Sequence, residues 1–126
     1  MLMVTDLFGM LRRLELTPTA TNVLSVMVER QNPGGVVPIT QQDIAEELQI
    51  LPSVVSRGMT LLVERGLVLR KGYRYRLHPA IAGYSSELEM QAAMARAARE
   101  GVPPILIPDY QAAPPKAGRT RLRAVG

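Results

Sequence analysis

The sequence predicts a mainly α-helical domain with one small β-hairpin, carrying an extra helix at each end. Three observations lead there. Cap residues or prolines mark helix starts at Thr17-Pro18, Thr40, Pro52 and Ser86, each followed by apolar residues at helical spacing. The stretch Tyr73 to Leu77 alternates strictly, as a half-exposed strand does. The length of 126 residues suits one compact domain at roughly 150 residues per domain.

The first helix has Thr5 as its cap and Asp6 in its first turn, with Leu7, Met10, Leu11 and Leu14 as its stripe. Thr17-Pro18 reads as N-cap plus first-turn proline of a second helix, running through Val23, Leu24, Met27 and Val28 to about Gln31. Asn32-Pro33-Gly34-Gly35 stops it. Val36 to Ile39 is β-branched and interrupted by Pro38, which fits a brief edge strand.

Thr40 and Asp43 stand as a capping-box pair at the start of a third helix, whose inner stripe is Ile44, Ala45 and Leu48. After the break Gln49-Ile50-Leu51, Pro52 opens a fourth helix with Val55, Met59, Leu62 and Val63 as its apolar face and Gly66 as its stop. Leu67 to Arg70, a turn at Lys71-Gly72 and Tyr73 to Leu77 make the hairpin. Its second strand has Tyr73, Tyr75 and Leu77 on one face and Arg74 and Arg76 on the other. Ser86 and Glu89 form another capping pair, and Gly101 ends the helix they open. Residues 102–126 hold five of the ten prolines and read as an extended, disordered, basic tail, in which Ile105-Leu106-Ile107 could dock on an apolar surface.

Composition narrows the chemistry. The chain has no cysteine, which excludes a disulfide scaffold, thiolate metal sites and a cysteine nucleophile. A single histidine, His78, offers no His cluster, and beside Pro79 it reads as a hydrogen-bonding residue at a strand end. Neither a Ser/His/acid arrangement nor a phosphate-cradling glycine loop occurs, so no enzyme and no cofactor is expected. Apolar runs are too short for a membrane span, and the basic pair Arg12-Arg13 follows the first apolar stretch instead of preceding it, unlike a secretory signal. A cytoplasmic, nucleoid-associated protein is the expectation.

The net charge of +4 is unevenly placed. Residues 57–76 carry six basic groups against one acidic, and residues 116–126 carry four basic and none acidic. The rest of the chain is acidic. Two basic islands on an acidic body suit a nucleic-acid footprint.

Two helices joined by three residues, followed by a basic hairpin, are arranged as a helix-turn-helix with a wing. The segment Ile39 to Leu48 resembles the supporting helix of bacterial winged helix-turn-helix regulators. Leu51 to Val68 is similar to their recognition helix running into the first wing strand. The resemblance covers residues 17–79. The Val55-Ser56-Arg57 step and the Glu64-Arg65-Gly66 ending resemble MarR-type regulators. Tyr75-Arg76-Leu77-His78-Pro79 resembles the winged-helix plasmid replication initiators, with His78 at the place where those have Asn.

Independently of resemblance, helical spacing puts Ser53, Arg57 and Thr60 on the outward face of the fourth helix, with Ser56 flanking and Val54 exposed near its start. In docked proteins of this kind the start of the second helix meets base edges. Arg57 is the candidate for guanine, Ser53, Ser56 and Thr60 are short donors, and Val54 can touch a thymine methyl. Arg57 could instead pair with Glu46 or Glu47 across the turn. Gly58, costly within a helix, implies close approach to the supporting helix or to DNA. Arg70, Lys71, Arg74 and Arg76 suit phosphate or the minor groove. Thr40, Gln41 and Gln42 at a helix start could seat a phosphate. Lys116, Arg119, Arg121 and Arg123 are either a solvated end or a nonspecific DNA arm.

The functional expectation is a sequence-specific, double-stranded DNA-binding protein, a homodimeric transcriptional regulator. Residues 1–16 and 80–101 would supply dimer helices, with a further protein partner possible on the C-terminal helix or tail. Plasmid replication initiation is the first alternative, and a winged-helix interaction or segregation scaffold the second.

Overall fold

Residues 2–3, 7–72 and 74–107 are described by the structure, a computed structural model. They form five helices and a three-stranded antiparallel sheet. The expected cap Thr5, its neighbour Asp6, the strand residue Tyr73 and the basic tail residues Lys116, Arg119, Arg121 and Arg123 lie outside the described residues.

Helix α1 is Leu7–Leu14, of which Leu14 is buried. Helix α2, Pro18–Arg30, begins as expected: the Thr17 hydroxyl accepts from the Ala20 N–H at 3.1 Å, with Pro18 in the first turn. It ends on Gln31, whose buried side chain accepts from the Gly83 N–H at 2.8 Å and donates to the Val28 carbonyl at 3.1 Å. Strand β1 is the short edge strand Val36–Val37.

Helix α3, Gln41–Leu48, carries the full reciprocal capping box. Asp43 N–H donates to Thr40 Oγ1 at 3.1 Å, and Thr40 N–H donates to Asp43 Oδ2 at 2.9 Å. Its exit turns on Gln49 at φ +57°, a left-handed conformation in which glycine is the favoured residue. Helix α4, Pro52–Glu64, follows at once. It closes with Leu67 N–H on the Leu62 carbonyl and Gly66 N–H on the Val63 carbonyl, a Schellman pair that needs the positive φ of Gly66.

Strands β2 (Val68–Lys71) and β3 (Arg74–Leu77) form the hairpin, and β1 adds to the far side of β3, giving the order β1-β3-β2. Val68 pairs with Leu77 and Lys71 with Arg74. Tyr75 and Leu77 are buried while Arg74 and Arg76 are exposed, the alternation expected of this strand. Helix α5, Glu87–Glu100, is capped by Ser86, whose hydroxyl accepts from Glu89 N–H at 3.2 Å.

The core lies where α2 crosses α4, with Val23, Leu24 and Met27 against Val55, Met59 and Leu62 and with Ile44, Leu67 and Leu77 closing it. Gly58 makes that crossing possible. A Cβ there would stand 3.3 Å from Ala20 Cα, so the close approach is to α2, and the expectation of contact with the supporting helix or with DNA is corrected. Val63 is also corrected: it is 37% exposed, because the buried arc of α4 is centred on Val55, Gly58 and Leu62 and leaves Val63 on the flank.

The described terminal segments join the core through partly buried residues, Leu7, Met10 and Leu11 of α1 and Met90 and Ala93 of α5. Leu2 and Tyr84 exchange two backbone hydrogen bonds of 2.8 Å. No residue of α5 is buried. Past α5, residues 102–107 run extended but are tied to the domain. The Leu106 N–H donates to the Arg65 carbonyl at 2.7 Å, His78 Nε2 lies 2.8 Å from the Pro103 carbonyl, and Ile105 packs on the core. Of the apolar triplet only Ile105 is docked, and Leu106 and Ile107 remain exposed. His78 Nδ1 accepts from the Ala80 N–H at 3.0 Å, so the ring is the hydrogen-bonding strand-end residue its position suggests.

Candidate nucleic-acid interface

Helix α4 shows three faces. Its core face is spent on α2. Its outward face holds Ser53, Arg57 and Thr60, all exposed, at the spacing that brings them into one stripe. Ser56 is exposed beside them, and Thr60 Oγ1 donates to the Ser56 carbonyl at 3.0 Å, fixing the Thr60 rotamer. Val54 is half-buried, not exposed as expected. It lines a shallow hollow of about 310 Å³ with Thr17, Thr19, Arg57 and Leu61, because the start of α2 passes on that side.

Arg57 keeps its charge available. Glu47, one of the two carboxylates that could have neutralised it, pairs with Arg30 at 2.6 Å, and Glu46 accepts from Gln42 at 3.3 Å. Among the described residues Arg57 forms no ion pair.

The four basic residues of the wing divide between its two faces. Arg70 lies opposite Tyr75 in the register and shares the inner face with it, its guanidinium 5.7 Å from the ring centroid. It opens on a hollow of about 230 Å³ with Gln41, Ser56 and Thr60, so it joins the recognition helix. Lys71 and Arg74 are exposed at the tip on the outer face. Arg76, nearer the base of that face, donates from Nε to the Gly34 carbonyl at 3.3 Å and lies beside Ala93 and Arg96 of α5. The structure therefore brings Arg70 to Ser56 and Thr60, and places Arg76 on the side turned toward α5.

Thr40, Gln41 and Gln42 do meet at the start of α3, but their side chains are engaged. Thr40 caps, Gln42 bonds Glu46, and Gln41 Nε2 donates to the Tyr75 hydroxyl at 2.6 Å. The Gln41–Tyr75 bond ties the supporting helix to the wing. Sequence reasoning missed it, because the partners are 34 residues apart and no local pattern couples them.

A second residue escaped the sequence reading. Leu51, the N-cap of α4, is 68% exposed and makes no side-chain cap. Leucine is a poor residue there, and a serine would be worth about 1 kcal/mol more. The signal was present as an apolar residue at a cap position.

Among the described residues, Tyr84, outside this surface, has a displaced acid-base equilibrium. Burial pushes the Tyr84 phenol above its ordinary value of 10.0, with nearby Arg76 acting against the shift and Glu89 adding to it. The neutral phenol donates to the Pro79 carbonyl at 2.6 Å.

A supporting helix, a tight turn, an exposed recognition helix and a basic wing define a winged helix-turn-helix of the DNA-binding class. Residues 14–72 match the family model described as MarR family. This segment is similar to the MarR family, a family of DNA-binding transcription regulators. The match ends at the wing tip, so β3, α5 and the following segment lie beyond it. Comparison with curated proteins gives no match, and comparison with solved structures gives none. Among the described residues no helix is long and apolar enough to cross a membrane.

Proposed function

We propose that the chain regulates transcription as a homodimer that binds double-stranded DNA at specific sequences. Helix α4 enters the major groove with Arg57 on guanine and with Ser53, Ser56 and Thr60 as short hydrogen-bonding groups. Arg70 follows the same groove from the wing side, while Lys71 and Arg74 at the tip meet phosphate or the minor groove. Arg76 contributes by its charge from the base of the wing. Thr40, Gln41 and Gln42 border the phosphate nearest the start of α3, with the backbone N–H groups of Gln41 and Gln42 as the donors, since the Thr40 N–H is held by Asp43. Lys116, Arg119, Arg121 and Arg123 add sequence-independent attraction. The observation that carries this reading is the exposed Arg57, on the outward face of α4 and without an ion pair among the described residues.

Dimerisation is supported by apolar side chains that the domain leaves uncovered at its ends. Phe8 on α1 is 86% exposed and Leu88 on α5 is 79% exposed. One winged module makes few base contacts, and two copies on a repeated half-site supply the specificity one lacks.

Selection from a random DNA library with the full chain tests the reading. The expected result is an enriched half-site repeated about one helical turn apart, with affinity falling steeply as salt rises. No enriched sequence would overturn it. Whether the site lies at a promoter or within a replicon's own origin separates regulation from replication initiation.

A further inference from the structure

We infer that Leu51 reads thymine: at the leading end of the recognition helix it presents an apolar tip to the 5-methyl group of a base in the major groove. This deepens the proposed DNA reading and rests on it.

The turn between α3 and α4 makes two choices that folding alone disfavours. Gln49 adopts φ +57°, where glycine is the easy residue. Leu51 takes the N-cap position, where an oxygen-bearing side chain would satisfy a first-turn N–H and leucine satisfies none. Leu51 gains nothing from the core in return, being 68% exposed. A residue that breaks a local rule without compensation in the fold marks a functional position.

Its place says what it meets. The Leu51 carbonyl accepts from the Val54 N–H at 3.0 Å and the Val55 N–H at 3.2 Å, so the residue belongs to the first turn of α4, two positions before Ser53. Val54 lies one turn on, half-buried against the start of α2. The flank of α4 toward the wing is mixed: Ser56, Thr60 and Glu64 stand there with Met59 and Val63, facing Gln41 and Arg70. At the leading end of α4 the exposed large apolar side chain is Leu51, next to Pro52 and Ser53. In the major groove the thymine methyl is the apolar group on the base edges, and it is the chemistry a leucine there recognises. A polar group would be left unsatisfied against that methyl, whereas leucine excludes water from it.

The test uses the full chain and the half-site it selects, with thymines replaced one at a time by uracil, which removes only the methyl. One replacement should weaken the wild-type chain by roughly fourfold, the value of one buried methyl group. Leu51→Ala should weaken binding to the thymine site by a similar factor and show no sensitivity to that replacement. Leu51→Ser separates this role from a structural one. It restores an N-cap oxygen, so its melting temperature should rise while its methyl sensitivity disappears. An unchanged uracil response in Leu51→Ala, or a selected site with no methyl-sensitive thymine, would overturn the inference while leaving sequence-specific binding intact. A chain that enriches no sequence overturns both.

Discussion

The winged core and the terminal helices treat their apolar residues in opposite ways. In the core, α2 and α4 close on one another through Gly58 and Ala20, and Val23, Leu24, Val55 and Leu62 are 0–1% exposed. At the ends, α1 buries Leu14 alone and α5 buries nothing, while Phe8 and Leu88 stand in solvent. The core is complete within one chain. The end helices reach the core only through partly buried residues, Leu7, Met10 and Leu11 of α1 and Met90 and Ala93 of α5, and most helical stability comes from packing. The core presents Arg57 and Arg70 on a packed frame, and the exposed Phe8 and Leu88 are the side chains that the proposed homodimer would cover.

Substitutions should reveal the contrast most strongly where burial is deepest. Leu62→Ala should lower folding stability by about 2–5 kcal/mol in denaturant titration, as a large-to-small change in a packed core does. A loss near zero would mean that α4 does not hold the core together. Tyr75→Phe removes the bond to Gln41 and should cost about 1 kcal/mol, with added exchange of wing amides seen by hydrogen exchange. Ser86→Ala should cost α5 about 1 kcal/mol of local stability, read as faster exchange in Met90 and its neighbours, with the core unaffected. Phe8→Ala should change folding of the monomer by less than about 0.5 kcal/mol yet weaken self-association measured by sedimentation. Equal self-association before and after would remove α1 from the dimer surface.

A smaller effect follows from Tyr84, whose phenol is held above its ordinary value chiefly by burial. The folded state retains that proton more tightly than the unfolded chain. The stability it contributes is whole below about pH 10 and is lost as pH rises through the folded value. Thermal unfolding followed above that pH should show the decline, and Tyr84→Phe should flatten it.

The elements legible in the sequence are those fixed by neighbours. Thr40 with Asp43, Pro52, Gly66, and Ser86 with Glu89 act over one turn of chain, and each stands where it was expected. What was not legible depends on partners far along the chain. Gly58 is needed by Ala20, 38 positions away. Val63 and Val54 took their exposure from the elements beside α4, not from its period. Arg76 alternates correctly with Tyr75, but no period could show that its face turns toward α5. The segment 102–107 reads as tail in the sequence, because its ties run from its backbone to the Arg65 carbonyl and the His78 ring, which composition does not encode.

Arg57 and Arg74 provide the most direct test of the central claim, that α4 reads bases and the wing tip holds the backbone. The measurement is binding of each alanine variant to the selected site and to its single-base variants, at two salt concentrations. Arg57→Ala should relax preference at particular base pairs, at a cost of about 1–3 kcal/mol, whereas Arg74→Ala should weaken every sequence alike and reduce the salt slope by about one. Uniform weakening by Arg57→Ala, with base preference intact, would contradict the account.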